Sequence, residues 1–296
     1  CPMQVIPVTD QNSRLFIELA VEMYKNDKHW IRPLNKDIEE VFDEKKNKAF
    51  RFGKAQRWIL LDGTGNPAGR IAAFINKKYK NKGDDMPVGG IGFFECINNQ
   101  DAANLLLDKA KDWLKEQGMQ AMDGPINFGE RDKWWGMVVS GFIEPLYCMN
   151  YNPPYYVTLF ENYGFRVFYN QVCFGMQPKM KLPDKIWERH TQFSNDPQFS
   201  SDHARKNNLV KYAADFATVY NKAWAGHGGL KEITKEQVAI MFKKMKPVMN
   251  EKLLWFIYQN NEPIGLFVNL PDLNQWFKYL NGKFGLLQKL KFLWVK

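Results

Sequence analysis

Residues 90–127 read GIGFFECINNQDAANLLLDKAKDWLKEQGMQAMDGPIN, and this stretch predicts a strand, a helix and a second strand in succession. Gly90 to Ile97 is mostly apolar, as is typical of a buried strand, and Ala121 to Asn127 predicts the second strand. A strand–helix–strand unit of this length places its two strands side by side and parallel. The stretch therefore predicts a sheet that contains a parallel pair.

The helix between these strands has the clearest periodicity in the chain. Either Asn99 or Asp101 is expected to cap its first turn, and Gly118 stands where a left-handed C-terminal cap belongs. Its apolar residues recur at helical spacing and predict one buried face: Ala102, Leu105, Leu106, Ala110, Trp113 and Leu114. We expect this face to pack against the sheet.

The flanking segments predict further strands and helices of the same unit. The predicted strands cover residues 5–8, 57–61, 69–76 and 166–176, and the predicted helices cover residues 10–25, 34–42 and 152–164. Between them, residues 128–152 are irregular and rich in aromatic side chains. Strands and helices that alternate in this way predict an α+β fold, with a mixed sheet flanked by helices.

The second half of the chain repeats part of this order. Trp255 and Gly265 hold the same places in a second predicted hairpin as Trp58 and Gly69 hold in the first, and two predicted helices precede each hairpin. Chance similarity of two hairpins is the alternative explanation. The repeat predicts two tandem domains of one type.

The expected domain boundaries follow from this repeat. The chain divides into a first domain over residues 1–180, a connecting segment over residues 181–211 and the start of a second domain over residues 212–296. A sheet that stopped there would expose a strand edge. By mirroring, we expect the second domain to be incomplete and the protein to continue for on the order of 80 to 90 residues. Alternatively, another chain covers the edge.

The composition is that of a folded globular protein. Hydrophobic residues make up 45% of the chain and aromatic residues 15%, which excludes a disordered chain, a collagen and a disulfide scaffold. The formal net charge of +9 favours anionic partners, namely phosphorylated cofactors, acidic substrates or nucleic acid. No apolar run is long enough to predict a membrane span, and no signal peptide is predicted.

The cysteines and histidines predict no metal site. Cys1, Cys96, Cys148 and Cys173 are scattered, without the CxxC spacing of a zinc or redox site, and the four histidines lack ligand spacing. Scattered cysteines of this kind are typical of reduced, buried thiols. We therefore expect a cytoplasmic protein.

The order of elements in the first half resembles the GNAT superfamily, the acyl-CoA N-acyltransferases. The segment NPPYYVTLFENYGFR, residues 152–166, is similar to the last helix of that family and the Gly-Phe pair that begins its final strands, and Gly69 opens the third strand as in the family. The run GPINFGERDKWWGMVVSGF, residues 124–142, is similar to bacterial proteins with two tandem GNAT-like halves. The resemblance covers about residues 1–176, and residues 212–270 in outline. It implies tandem GNAT-like domains and acyl transfer to an amine of a small molecule or peptide.

The resemblance also implies a site for acyl-CoA, either acetyl-CoA or a longer thioester. In the family the backbone of the fourth strand pairs with the pantetheine arm, and the N-terminus of the next helix holds the pyrophosphate. The residues that the resemblance assigns to this site are Phe93, Phe94, Cys96, Asn98, Asn99, Gln100, Ala102, Ala103 and Asn152.

Two departures from the family pattern concern the chemistry. The loop over residues 98–103 lacks the glycines that let a backbone approach phosphate, and Asp101 adds a negative charge there. Phe160 stands where the family often has a tyrosine that acts as general acid. Both departures are typical of a degenerate copy, with the working cofactor site in the missing part of the second half. For residues 98–103 the alternative is an ordinary capped helix with no ligand.

Glu95 is the candidate general base, because it lies inside an otherwise apolar strand. Burial there would raise the pKa of its carboxyl group and suit it to take a proton from an ammonium substrate. The alternative is a glutamate at a strand end that faces water or pairs with a lysine. Tyr155 and Tyr156, about one turn before Phe160, are the candidates to replace the missing acid.

The irregular aromatic segment is the candidate substrate pocket. Trp134, Trp135, Tyr147 and Tyr151 are predicted to bind the amine or the acyl chain. The alternative is a loop that packs over the sheet through its own aromatic side chains.

Two other functions fit the same sequence. One is a non-catalytic GNAT-like protein that keeps an aromatic groove for a small molecule or a partner. The other is a Fem-type transferase, which resembles this tandem layout and takes an aminoacyl group from charged tRNA; the net charge of +9 suits it, although nucleic acid is not the favoured partner. The ligand discriminates among the three: CoA, tRNA or neither.

Overall fold

A computed structural model describes residues 2–79, 85–225 and 231–295 of the chain. Proximity of the backbone divides it into a first unit, residues 1–169 with 272–296, and a second unit, residues 170–271. The predicted domain boundaries at residues 180 and 211, and the tandem arrangement, stay predictions.

The strands form two sheets, one in each unit. They are β1 (Gln4–Pro7), β2 (Gly53–Leu61), β3 (Pro67–Asn76), β4 (Val88–Cys96), β5 (Ala121–Asp123), β6 (Phe199–His203), β7 (Leu254–Gln259) and β8 (Glu262–Val268). In the first unit, β1 to β4 are antiparallel neighbours and β5 pairs parallel to β4. This confirms the predicted parallel pair and the mixed sheet.

The helices flank these sheets. They are α1 (Ser13–Met23), α2 (Asn35–Val41), α3 (Gln100–Glu116), α4 (Tyr155–Tyr163), α5 (Asp184–Ser194), α6 (Leu209–Trp224), α7 (Lys235–Met245), α8 (Asn274–Phe277) and α9 (Leu286–Val295). In the first unit, α3 packs on one face of the sheet, against a core that includes Leu60 and Ile71. α1 packs on the opposite face, where Phe16 meets Ile59. The predicted α+β fold with helices flanking a mixed sheet is confirmed. None of the helices in the described ranges has the length and hydropathy needed to cross a bilayer.

The α3 helix follows its prediction with one correction. The Asn99 side chain caps it by accepting a hydrogen bond from the Ala102 N–H at 2.9 Å, and Gly118 has φ of 82° as predicted. Leu107 is buried, whereas the predicted core residue Leu105 is exposed. A turn of 3.6 residues places position 107 above positions 103 and 110 and turns position 105 toward solvent.

Of the two strand predictions on either side of the aromatic segment, one was too long and the other was wrong. The strand expected over residues 121–127 ends at Asp123, where the chain turns through Gly124 and Pro125. The closing strands expected over residues 166–176 do not form, because no neighbouring strand pairs with this stretch in the described part of the chain. Its apolar side chains, such as Phe174, are exposed.

The second unit contains an antiparallel sheet with the strand order β6-β7-β8. Its core lies between the sheet and the α6 and α7 helices, where Tyr212 and Phe242 are buried with Phe256. The β7–β8 hairpin repeats the register of β2–β3. Gly265 pairs with Ile257, two residues after Trp255, and Gly69 pairs with Leu60, two residues after Trp58. The repeat predicted from the sequence therefore extends to the pairing of the strands.

The cysteines are free thiols where the structure describes them. Cys96 and Cys148 are buried, as expected, but Cys173 is exposed, because its segment forms no strand. Cys1 lies outside the described residues. Within the described ranges, no group of histidine, cysteine and acidic side chains is placed to hold a metal ion.

Candidate functional site

The candidate site is a cavity of about 120 Å³ in the first unit, here called the Glu95 cavity. The α1 helix and the connection to α2 form one wall, and the end of β4 forms another. The aromatic segment closes a third side, and Asn274 of α8 also lines it. Its lining combines apolar rings with a few polar groups, as is typical of a small-molecule site.

The Glu95 carboxylate accepts hydrogen bonds from two tyrosines. The Tyr24 hydroxyl donates to Oε2 at 2.8 Å, and the Tyr156 hydroxyl donates to the same oxygen at 2.7 Å. The other oxygen, Oε1, lies 3.4 Å from Nη2 of Arg70. Both tyrosines thus hold Oε2, and Oε1 has the longer contact, which is to Arg70.

Arg70 is the charge partner of Glu95. The two residues are opposite each other in the β3–β4 pairing, and only 5% and 11% of their side chains are exposed. Nη1 donates to the carbonyl oxygen of Phe16, and the guanidinium lies 4.8 Å from the Phe16 ring centroid. Nε of Arg70 is buried with no hydrogen-bond partner among the described residues. This ion pair holds Glu95 inside the protein.

Burial raises the pKa of the Glu95 carboxyl group above its ordinary value. The Arg70 charge and the hydrogen bonds from Tyr156 and Tyr24 oppose this shift without cancelling it. Burial likewise raises the pKa of both tyrosines above 10, so that both hydroxyls are protonated donors at neutral pH. The structure thus agrees with the predicted buried carboxylate and excludes the alternative of a glutamate that faces water or a lysine.

A bulge in β4 turns Glu95 toward the cavity. Arg70 pairs with Glu95 and Ala72 pairs with Gly92, so β4 carries one more residue than β3 across this stretch. Phe93 takes up the extra length with a φ of 52°, in the left-handed region. As a result Phe93, Phe94 and Glu95 all line the cavity, although consecutive strand residues ordinarily face opposite sides.

The aromatic segment places three of its four predicted substrate residues at the cavity. Trp134, Tyr147 and Tyr151 line it. The Tyr147 hydroxyl donates to Asp37 at 2.8 Å, and the Tyr151 hydroxyl donates to Asp27 at 2.7 Å. These bonds fix both rings at the cavity wall.

Trp135 lies away from the cavity lining. Its ring packs against Tyr79 at 5.7 Å, and the Arg131 guanidinium lies 5.0 Å from its centroid. For this residue the geometry favours the alternative in which the loop packs over the sheet. A substrate role for Trp135 stays a prediction that the lining does not support.

The predicted cofactor residues on β4 differ in whether their backbone groups are free to bind a ligand. The parallel pairing with β5 ends at Gly90, and a last hydrogen bond of 2.7 Å joins the Ile126 N–H to the Ile91 carbonyl. Beyond it, Phe93 and Phe94 have no strand partner on that side in the described part of the chain. This strand edge fits the extended arm that the resemblance implies.

The backbone N–H and carbonyl groups of Cys96 are both hydrogen-bonded within the protein. Its N–H donates to the Tyr156 oxygen at 2.8 Å, and its carbonyl accepts from the Tyr155 hydroxyl at 2.7 Å. Burial raises the pKa of its thiol to about 12, so the thiol is inert at neutral pH. Both tyrosines thereby tie α4 to the end of β4.

The start of α3 does not fit a phosphate. Asn99 fills the cap position, and the side chains of Ala102 and Ala103 are buried. The Gln100 amide donates to the Leu159 carbonyl at 3.1 Å and so serves as a bridge to α4. Asp101 adds its negative charge to the first turn, and Asn98 is exposed beside it. A pyrophosphate role for these residues stays a prediction.

The Asn152 side chain is hydrogen-bonded to the backbone of the aromatic segment. Its side-chain oxygen accepts from the Val138 N–H at 2.8 Å, and its amide donates to the Val138 carbonyl at 3.1 Å. These two bonds join the end of the aromatic segment to its middle. The side chain lines the cavity, but both of its polar atoms are occupied by backbone.

The candidate acids also have partners. The Tyr156 hydroxyl proton is donated to Glu95, and that of Tyr155 to the Cys96 carbonyl. Phe160 is buried against Phe94, with ring centroids 4.9 Å apart. Neither tyrosine therefore has a hydroxyl proton free for a leaving group in this arrangement.

Sequence reasoning missed three residues of this site. Arg70 could have been found from the sequence, because a lone arginine in an apolar strand needs a buried partner. The pairing of β3 with β4 places Glu95 opposite it. Tyr24, at the end of α1, and Trp30, which stacks on it at 4.9 Å, had no such signal in the sequence. Their approach to β4 depends on packing of segments that are distant in sequence.

Comparisons with known proteins find relatives in sequence and in structure. No protein-family model matches the chain. It is 26% identical, over 99% of its length and 75% of the relative, to a Caulobacter vibrioides protein named bacterial ceramide synthase. It is 24% identical to the Escherichia coli protein YghO, over 95% of this chain and 71% of that protein.

Solved structures similar to the chain include acetyltransferases. One is AAC(6')-Iy in complex with a bisubstrate analogue of CoA, at 12% identity and a TM-score of 0.38. The match covers 60% of this chain and 99% of that structure.

Proposed function

We propose that the chain transfers an acyl group from acyl-CoA to a primary amine, with Glu95 as the base that removes the proton from the amine. The observation that carries the proposal is the buried Glu95 carboxylate at an aromatic cavity, with Oε2 held by Tyr24 and Tyr156. Burial of an ionised carboxylate is unfavourable, so such a group is usually paired with an opposite charge or serves a function. Arg70 is the opposite charge, and the position of Glu95 at the cavity suits a catalytic function.

The reaction requires a proton acceptor. A primary amine is an ammonium ion at neutral pH and has no lone pair with which to attack a carbonyl carbon. Burial raises the pKa of Glu95, and a base is most effective when its pKa lies close to the working pH. Glu95 Oε1 takes the first proton from the ammonium group. The free amine then forms the C–N bond to the thioester carbonyl carbon as the C–S bond breaks, and the CoA thiolate leaves and takes the second proton from nitrogen.

Tyr156 and Tyr24 are positioning residues in this proposal. Their hydroxyls hold Oε2, and Oε1 keeps only the longer contact to Arg70. The Cys96 N–H fixes the Tyr156 oxygen from the other side, which links the carboxylate to the β4 backbone. Because Tyr156 already donates its proton, the geometry favours positioning over its predicted role as general acid.

The acceptor is proposed to be an amine with a long alkyl chain, of which the cavity of about 120 Å³ would hold only the amino end. The cavity is lined by Trp30, Phe93, Trp134 and Tyr147, and such rings bind alkyl groups and attract an ammonium ion through their faces. The relative named bacterial ceramide synthase matches nearly the whole chain. A ceramide is the amide of a long-chain amino alcohol, so its synthesis is an N-acylation of the proposed kind.

The chain has a suitable surface for one part of the acyl donor and not for another. The open edge of β4 at Phe93 and Phe94 suits the pantetheine arm. The α3 N-terminus does not suit the pyrophosphate, because Asn99 takes an N–H and Asp101 is negative. We therefore assign no step to these residues, and the length of the acyl chain stays open.

The test is turnover by the full chain. It is incubated with acyl-CoA thioesters of increasing length and a long-chain 2-amino alcohol, and release of the CoA thiol is followed with mass detection of the amide. Glu95→Gln keeps the shape of the side chain and is expected to lower turnover by about 10² to 10⁴-fold. Glu161→Gln, on the exposed side of α4, is the matched control and should turn over as the parent chain does. Equal rates for both variants would remove Glu95 from the mechanism.

One observation favours a second candidate, a protein that binds the amine without acylating it. The capped start of α3 offers no cradle for pyrophosphate. That candidate predicts calorimetric binding of the long-chain amine with no binding of CoA. Cytoplasmic location and the tRNA-dependent alternative stay predictions of the sequence.

A further inference from the structure

The α9 helix has two apolar faces, of which one is packed. Phe292 is buried and contacts Trp276 at 5.6 Å and Phe277 at 5.8 Å between ring centroids. Phe284, just before the helix, joins the same cluster at 6.1 Å. This face fixes α9 to α8 within the first unit.

The opposite face is exposed and consists of large apolar residues. Their exposed fractions are 78% for Leu286, 75% for Leu287, 59% for Leu290, 68% for Leu293 and 85% for Trp294. At about 100° per residue, these five side chains share an arc of about 120°, centred nearly opposite Phe292. Such a continuous apolar stripe on one helix is unusual for a surface that faces water.

Two lysines border this stripe. Lys289 lies beyond one margin of the arc and Lys291 beyond the other, each by about 40° on the helical wheel. Both side chains are exposed, as is Lys283 in the turn before the helix. Lysine stems at the margins of an apolar face can extend along it while their ammonium groups reach the headgroup level.

We propose that this face of α9 docks on the surface of an anionic lipid bilayer. The apolar stripe would lie at the boundary between headgroups and acyl chains, with Trp294 at the interface, where tryptophan is enriched. Lys289 and Lys291 would meet anionic headgroups, and the formal charge of +9 adds a long-range attraction.

A second copy of the chain is a less suitable occupant. Two such faces packed together would bring the lysines that border each stripe close to those of the other copy. Like charges at an interface oppose association. The alternation of lysine, apolar stripe and lysine is complementary to a bilayer and not to itself.

The docking face is connected to the Glu95 cavity by packing. Phe292 contacts Phe277, whose ring lies 5.3 Å from that of Tyr147 in the cavity wall. The Asn274 amide of α8 donates to the Pro145 carbonyl at 2.8 Å and also lines the cavity. A membrane-resident amine would thus be close to the cavity, a consequence that rests on the proposed function, whereas the docking itself does not.

The test is sedimentation of the full chain with vesicles of phosphatidylcholine, either alone or mixed with phosphatidylglycerol. We expect binding to the anionic vesicles that weakens with added salt. Leu290→Glu should abolish it, and Lys289→Gln and Lys291→Gln should each weaken it by about fivefold. Ile240→Glu is the matched control, because Ile240 on α7 is 58% exposed and Leu290 is 59% exposed. It should bind as the parent chain does.

Three results would overturn the docking proposal. They are absence of binding to anionic vesicles, equal binding by Leu290→Glu, and a dimer in the ultracentrifuge that Leu290→Glu dissociates. Acyl transfer to a short, water-soluble amine reports on the proposed function alone and should be unaffected by Leu290→Glu. Failure of docking and failure of the proposed function are therefore distinguishable.

Discussion

Replacing Tyr24 with phenylalanine removes one of the two hydroxyls that hold Glu95 Oε2 and leaves the ring in place. The lost hydrogen bond is 2.8 Å long and reaches a buried carboxylate. A hydrogen bond to a charged group contributes about 1.5 to 3 kcal/mol. Since one pKa unit corresponds to about 1.4 kcal/mol, the pKa of Glu95 should rise by about one to two units.

The sign of the effect follows from which form of Glu95 the hydrogen bond favours. The Tyr24 bond stabilises the ionised carboxylate and so lowers the pKa of Glu95. Without that bond a higher pH is needed to ionise the base. The acidic limb of the pH profile of kcat/KM should therefore move upward by about one to two pH units, with little change at the plateau.

Tyr151→Phe is the matched control for this experiment. Tyr151 also lines the cavity, and its ring contacts that of Tyr24 at 5.9 Å, but its hydroxyl donates to Asp27 and not to Glu95. The assay is release of the CoA thiol across a pH series. An acidic limb that stays in place in Tyr24→Phe, or that moves equally in Tyr151→Phe, would refute the reasoning.

Three further predictions concern stability. Arg70→Met leaves the buried Glu95 unpaired and should lower the free energy of unfolding by about 3 to 5 kcal/mol in urea titrations, much of which a second change, Glu95→Leu, should restore. The pKa of Glu95 is higher in the folded protein than in the unfolded chain. Its contribution to the free energy of unfolding is therefore fully present below the unfolded-state pKa of about 4.3, and it is lost as the pH rises through the folded-state pKa. Glu95→Gln should therefore gain stability relative to the parent chain over that window, and a pH-independent difference would contradict this. Asn99→Ala should cost about 1 kcal/mol through loss of the α3 cap, with unchanged affinity for CoA; a loss of CoA affinity would restore the phosphate role of this terminus.

The parts of the fold that local periodicity determines were predicted from the sequence. The α3 helix, its Asn99 cap and its parallel neighbours follow from apolar spacing and a few turn residues. The closing strands over residues 166–176 were wrong, because a strand forms only when a neighbour pairs with it. Alternating apolar residues indicate the capacity to pair and do not supply the partner.

The site was predicted in part for a similar reason. Glu95 stood out because a carboxylate in an apolar strand is unusual in the sequence itself. Arg70 required the strand register, and Tyr24 required the packing of α1 against the end of β4. The bulge at Phe93, which brings three consecutive residues to one cavity, has no signature in the residues that form it.

The most direct test of the central claim compares two acceptors, an alkylamine that is protonated at neutral pH and an aniline that is not. Only the alkylamine must lose a proton before its nitrogen can attack, whereas the later proton loss from nitrogen to the thiolate is common to both acceptors. We expect Glu95→Gln to lower turnover of the alkylamine by about 10² to 10⁴-fold and to leave turnover of the aniline nearly unchanged. An equal loss with both acceptors would show that Glu95 holds the structure together, and would contradict its role as the base.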